Sequence, residues 1–202
     1  KKTLAEFKIK SLVLTYPEHE CKLVKDMNYQ DEIDFIVSHP KRNEFIRDLT
    51  LALRGNTLVL FQFVEKHGSI LYDMIKSNTD RQVFYVYGGT DTQTREDIRA
   101  ITEKQKDAII VASYGTFSTG INIRNLHNIV FSSPSKSRVR TLQSIGRGLR
   151  RSESKDRATL FDIADDLTYK SKRNFTINHF LERINIYNEE QFDYEIKRIK
   201  MK

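Results

Sequence analysis

The sequence predicts an α/β fold: a parallel sheet with helices on both faces, plus a short helical extension at the carboxyl end. Three observations carry that prediction. Short apolar runs recur at 57–63 (TLVLFQF), 82–87 (QVFYVY), 108–112 (AIIVA), 128–132 (NIVFS) and 158–163 (ATLFDI). Helical patterns near 66–77, 92–103 and 138–151 separate most of them, the rhythm of parallel strands covered on both faces. The 202 residues, 39% hydrophobic and 30% charged, are enough to bury a real core.

Taken in order, residues 4–16 alternate around Phe7, Ile9, Leu12 and Leu14 and read as an entering strand. Residues 17–37 are mixed and polar, a connector. A helix starts near Pro40, because proline suits a first helical position, and runs through Phe45, Ile46, Leu49 and Leu53 to Gly55-Asn56. The strand–helix rhythm then occupies the middle of the chain. From Thr168 the character changes, and 174–202 reads as one or two terminal helices. Phe175, His179, Phe180, Ile184 and Tyr187 fall there at helical spacing, as a packing face does. The expected divisions are 1–40 (entering strand and connector), 41–167 (the sheet domain) and 168–202 (helical extension).

The net charge of +7 is unevenly placed: Lys136 to Arg157 holds eight Lys/Arg against Glu153 and Asp156. Such a local excess points to a polyanionic partner, nucleic acid or nucleotide. A membrane surface fits less well, since no strongly apolar helical face accompanies the charge. Cys21 is the only cysteine, which argues against a disulfide framework or a thiolate metal site and for a reducing, cytoplasmic setting. The five histidines are scattered, so no metal site is expected. No apolar run approaches a membrane span, and the start lacks a signal-peptide core. The chain begins without Met and reads as a fragment of something longer.

One absence constrains the chemistry. There is no GxxxxGK[ST] loop, the usual nest and lysine for a nucleotide's phosphates. Asp31-Glu32-Ile33-Asp34 superficially matches an acidic metal-binding box, but Met27-Asn28-Tyr29-Gln30 precedes it where an apolar strand should. It reads as a solvated acidic loop. Nothing resembles a nucleophile elbow, a Cys–His pair or an HExxH helix. A complete catalytic apparatus is not present.

The remaining candidates are a series of loops at strand ends, where ligands of such sheets sit. They are Glu65-Lys66-His67-Gly68, then Tyr87-Gly88-Gly89-Thr90 with Arg95 beyond it, then Ser113 through Gly120-Ile121-Asn122. Their glycines, hydroxyls and backbone NH groups suit phosphates without reading bases. Each alone is more often a turn or helix cap. After them comes a basic helix on which Gln143, Gly146, Arg147 and Arg150 fall at i, i+3, i+4 and i+7, one face. Val139, Leu142, Ile145 and Leu149 form its apolar face. Two guanidiniums beside a glycine suit a phosphate-rich ligand, although a solvated basic helix reads equally well in isolation.

In this order, over residues 57–163, the elements resemble the second RecA-like domain of superfamily 2 helicases. Leu58-Val59-Leu60-Phe61 is similar to motif IV, and Gly88-Gly89 with Arg95 to the segment that comes after it. Ala112-Ser113 through Asn122 is similar to motif V, and Gln143-x-x-Gly146-Arg147-x-x-Arg150 to motif VI, the most specific of them. The resemblance implies that Arg147 and Arg150 are arginine fingers reaching the γ-phosphate of ATP, with Gln143, Gly146, Gly120 and Asn122 shaping the nucleotide side. It implies nucleic-acid contacts from Ser113, Phe61, Gly88, Gly89 and Arg95, while the basic loop adds Lys136 and Arg138. ATP and Mg²⁺ would be bound mainly by an amino-terminal RecA-like domain that precedes this chain. The implied partner is DNA, branched or in R-loops, and the implied protein a monomer. Many family members carry Thr where Ser113 stands, which keeps the hydroxyl, and Asp where Asn122 stands, which loses a carboxylate. Two other readings stand beside this one: a non-catalytic nucleic-acid-binding module, and a domain that senses nucleotide on a partner.

Overall fold

The computed structural model describes the backbone of residues 7–118, 125–150 and 158–201, and the side chains of 8–116, 125–144 and 158–201. Seven strands form one parallel sheet in the order β3-β4-β2-β5-β6-β1-β7. They are β1 (Phe7–Thr15), β2 (Thr57–Phe61), β3 (Val83–Val86), β4 (Ile109–Ser113), β5 (Asn128–Phe131), β6 (Ala158–Asp166) and β7 (Asp193–Lys200). Among the described residues eight α-helices accompany them: α1 (Glu18–Val24), α2 (Tyr29–Ser38), α3 (Pro40–Ala52), α4 (Ser69–Lys76), α5 (Thr92–Lys104), α6 (Tyr114–Ser118), α7 (Arg138–Arg150) and α8 (Phe175–Glu189). A π-helical turn, Val64–Gly68, precedes α4. The expected α/β class holds, and the five apolar runs of the middle chain are five of the strands.

The period-2 geometry of the strands divides the core into two layers. Leu58 and Leu60 of β2, with Ile110 and Ala112 of β4, face Ile98 of α5, Leu142 of α7 and Tyr187 of α8. Val59 and Phe61, with Ile109 and Val111, face Cys21 and Val24 of α1, Ile36 of α2, Ile46 of α3, and Leu71 and Ile75 of α4. β2, β4 and β5 are buried along their whole length, which is why they read as continuous apolar runs rather than alternating ones.

The topology positions the site. From central β2 the chain moves outward to β3, returns to β4, then crosses to β5 on the other flank of β2. All strands being parallel, the loops after β4, β2 and β5 emerge side by side on one edge, the place where such sheets bind ligands.

Three expectations need correction. Residues 17–37 are not a polar connector but contain α1 and α2, the latter started by Asn28, whose side chain accepts from the Asp31 amide at 2.8 Å. Glu32 is accordingly buried rather than part of a solvated acidic loop. Its carboxylate reaches α8, accepting from the amides of Phe175 (3.0 Å) and Thr176 (2.8 Å) and from Asn174 Nδ2 (2.9 Å). It thus serves as an N-cap supplied from a distant helix. At the carboxyl end α8 is the expected helix, but the segment beyond it is a strand. Gln191 turns the chain with φ of +57°, Phe192 N–H donates back to the Tyr187 carbonyl at 2.9 Å, and β7 then pairs parallel to β1.

Candidate nucleotide and nucleic-acid interface

Along the carboxyl edge the loops are tied together by a buried polar network. Arg138, the first residue of α7, is 1% exposed. Its Nη1 meets Asp162 Oδ1 and the Ile163 carbonyl, each at 2.7 Å, its Nε donates to the Ser133 carbonyl at 2.9 Å, and its Nη2 to the Phe131 carbonyl at 3.1 Å. Tyr114, just past the end of β4, donates to the same Ser133 carbonyl at 2.8 Å. Asp162 also receives Arg183 Nε (2.9 Å) and the Tyr187 hydroxyl (2.5 Å), both from α8. Burial works to raise the Asp162 carboxyl, but the guanidiniums of Arg183 and Arg138 outweigh it and hold the group below the usual carboxylate range. One buried carboxylate on β6 therefore anchors the amino end of α7 and the middle of α8.

A second network lies on the opposite layer. Arg42 of α3 pairs with Asp165 of β6 through Nε (2.7 Å) and Nη2 (3.0 Å), and Tyr16 donates to the same carboxylate at 2.6 Å. Next to it His67, from the π-helical turn after β2, lies 2.9 Å from Asn43 Oδ1 and 2.5 Å from Ser133 Oγ. Asn43 Nδ2 donates to the Val37 carbonyl, which leaves its Oδ1 to accept from His67 Nε2–H. Nδ1 is then the acceptor of the Ser133 hydroxyl. Burial first, and then the positive charges of Arg42 and Arg138, push the His67 imidazole well below its ordinary value, so it stays neutral. Through His67 and Ser133 the β2 and β5 loops are fixed to one another, and Ser135 Oγ donates to Gln62 Oε1 at 2.7 Å across the same gap.

The expected site residues separate into three groups. Two belong to the interior. Phe61 is fully buried, with Gly68 against its ring so closely that a Cβ there would lie 2.4 Å from Phe61 Cε1. Arg138 spends its guanidinium on the network above. Neither side chain offers a nucleic-acid contact, because the structure commits both to packing and to holding α7; this corrects the expectation from the motif pattern and the basic loop.

A second group stands on or near the edge. Gly88 and Gly89 are exposed in the turn after β3, and a Cβ at Gly88 would meet nothing within 4 Å. Arg95 braces this turn, donating from Nε to the Thr90 carbonyl at 2.9 Å. Ser113 closes β4 with its hydroxyl 2.6 Å from Thr116 Oγ1 and accepting from the Thr116 amide at 3.3 Å, so it caps α6. Lys136 is exposed, its ammonium 5.5 Å from the centre of the Tyr29 ring. Gln143 is exposed on α7 and donates to Glu190 Oε2 at 3.3 Å.

The third group is reached only in part. Gly120 and Asn122 lie outside the described residues. Gly146, Arg147 and Arg150 lie on α7, whose backbone is helical through Arg150, while their side chains lie outside the described residues. Helical geometry keeps Gln143, Gly146, Arg147 and Arg150 on one face of that helix, and Leu142 is fully buried on the other.

Sequence reasoning passed over Asp162, Asp165, Arg42 and Arg183, and it named His67 and Glu32 only as members of a candidate loop and a solvated acidic box, without their buried roles. A signal existed for the two aspartates. A carboxylate inside an apolar, doubly covered strand has to find a buried cation. The partners could not be read, because they come from helices far away in the chain.

The family model for the helicase conserved C-terminal domain matches residues 41–152. The chain belongs to that family. It is 38% identical over 211 aligned residues to the ATP-dependent DNA helicase uvsW of Enterobacteria phage T4, an alignment covering 98% of this chain. The crystal structure of T4 UvsW superposes with a TM-score of 0.86 at the same identity and coverage. This helicase C-terminal domain spans 42% of the length of that relative. Its fold is shared by more distant proteins: the C-terminal domain of the DEAD-box protein Dbp5 (TM-score 0.59, 16% identity, covering 95% of this chain and 90% of that one) and the E. coli DEAD-box protein SrmB (TM-score 0.58, 10% identity, covering 94% and 89%). The sheet is thus the RecA-like sheet of helicase C-terminal domains. No described helix is long and apolar enough to cross a membrane.

Proposed function

We propose that this chain is the second motor domain of an ATP-dependent DNA helicase or translocase, acting on ATP held by a preceding RecA-like domain. The observation that carries the reading is the 38% identity across nearly the whole chain to a phage DNA helicase of which it spans only 42%. The chain's chemistry agrees. It has no phosphate loop, and its described residues include no group of three His, Cys, Asp or Glu able to hold a metal. In this reading ATP and Mg²⁺ are bound mainly by the amino-terminal partner domain.

In this reading α7 is the working element. Arg147 and Arg150 reach across the interdomain cleft to the γ-phosphate, because phosphoryl transfer is chiefly positioning and charge stabilisation, for which a planar, permanently charged donor is suited. Gln143, Gly146, Gly120 and Asn122 shape the nucleotide side. Lys136, the Gly88-Gly89 turn braced by Arg95, and the loop begun by Ser113 meet the DNA backbone. Closure of the two domains around ATP shifts these grips along one strand. The substrate is branched DNA or R-loops, and the protein a monomer of the cytoplasm, that of the host if phage-encoded.

The test is complementation. The 202-residue chain alone should show no DNA-stimulated ATP hydrolysis, and the polypeptide including the preceding domain should show it. Robust hydrolysis by the short chain would sink the half-site reading.

A further inference from the structure

Five residues of α8 fall on one helical stripe, and the structure splits them. Phe180 and Tyr187 are buried, but Phe175 is 44% exposed and His179 half-buried. These two rings do not pack into the core. They gather instead on Tyr29 of α2: Phe175 lies edge-on at 5.9 Å between centroids, and His179 tilted at 5.5 Å. Lys136 of the β5 loop sits with its ammonium 5.5 Å from the same Tyr29 ring. Three elements distant in sequence thus build one aromatic cluster beside the carboxyl edge of the sheet.

Two further features favour a ligand over an accidental patch. The cluster is held rigid, because Glu32, three residues from Tyr29, caps α8 at Phe175 and Thr176. Ordering it on binding therefore costs little. Its surroundings are cationic: Lys172 and Arg173, both exposed, immediately precede the helix, and Lys136 lies over the ring. Acidic groups nearby are Asp26, 3.9 Å from Lys172 and 2.6 Å from Lys25, and exposed Glu182 beyond His179. Glu32 is consumed by the cap. The exposed Phe175 ring, backed by half-buried Tyr29 and His179 and set among cations, matches a single nucleic-acid strand, whose bases stack while its phosphates take the charges.

We infer that Tyr29, Phe175 and His179, with Lys136, Lys172 and Arg173, form a stacking platform for a single-stranded segment of DNA. The platform rests on the proposed DNA-motor reading and shares with its site residues only Lys136.

The chain contains no tryptophan, so Phe175→Trp places a lone reporter on the platform. With an oligo-dT strand as probe, its emission should be quenched on titration, and affinity by anisotropy should stay near that of the parent. Phe175→Ala should weaken oligo-dT binding about tenfold with an unchanged circular dichroism spectrum and thermal midpoint. Lys136→Ala should lower the salt slope of binding by somewhat under one unit. If the strand binds without quenching the introduced indole and Phe175→Ala keeps full affinity, the platform is wrong while the DNA-motor reading stands. If the indole emission responds only to protein concentration, or only to the presence of the preceding domain, the face is a protein interface and the inference falls. If the longer polypeptide neither binds DNA nor hydrolyses ATP with it, the motor reading itself fails.

Discussion

Asp162 shows how much one side chain can hold. Two guanidiniums and a phenol converge on it in a fully buried setting. Removing the carboxylate leaves two buried guanidiniums without a counter-charge, so Asp162→Asn should destabilise the chain by about 3–5 kcal/mol in denaturant titration, and Arg183→Met, which leaves Asp162 paired with Arg138, by less. Both networks also give stability a pH dependence of one sign. Asp162 titrates lower when folded than unfolded, so its contribution is present above the ordinary Asp value and is lost as pH falls through the folded one. His67 is likewise depressed. The unfolded chain takes up that proton first, and stability begins to fall as pH drops below about 6.5. Thermal midpoints measured from about pH 8 to 4 should therefore decline monotonically below neutrality, and His67→Gln should flatten the upper part of that decline. A midpoint that rises on acidification would contradict the neutral, buried His67.

Among the elements, the π-helical turn and β2 make a tight pair. Gly68 lets the turn lie on the Phe61 ring, where a Cβ would come within 2.4 Å of an aromatic carbon. Gly68→Ala should cost about 1–3 kcal/mol through overpacking, and Phe61→Leu in the same chain should recover part of it. At the other end of the core, Glu32 ties α2 to α8. Glu32→Ala removes a buried carboxylate from two amides and an Asn side chain. It should cost about 1–3 kcal/mol and raise hydrogen exchange in the first turn of α8 ahead of the sheet. The strands of the middle chain and helices α3, α5 and α7 were legible because their apolar periodicity is strong and their ends carry Pro40, Gly55 or a capping Asp91. Helices α1 and α2 were not, since each buries a narrow stripe amid charge. Strand β7 was missed because its pairing to β1 is a long-range choice that a locally helical composition does not reveal.

For the molecule as a whole, the order β3-β4-β2-β5 brings together loops that are separate in sequence, and the family match over 41–152 covers all of them. The series of loops was readable without coordinates because each ends an apolar strand. Which side chains face outward was not, and Arg138 is the instructive case. It sits in the basic segment but points inward to Asp162, so charge density located the region without distinguishing a ligand contact from a structural bolt. The central claim is that the α7 face bearing Arg147 and Arg150 acts on an ATP this chain does not itself bind. It is tested most directly by DNA-stimulated ATP turnover in the polypeptide that includes the preceding domain. Arg147→Ala or Arg150→Ala should lower turnover there by about 10³-fold while DNA affinity is largely kept. Unchanged turnover in both variants would contradict the claim and leave α7 a basic helix in a nucleic-acid-binding module.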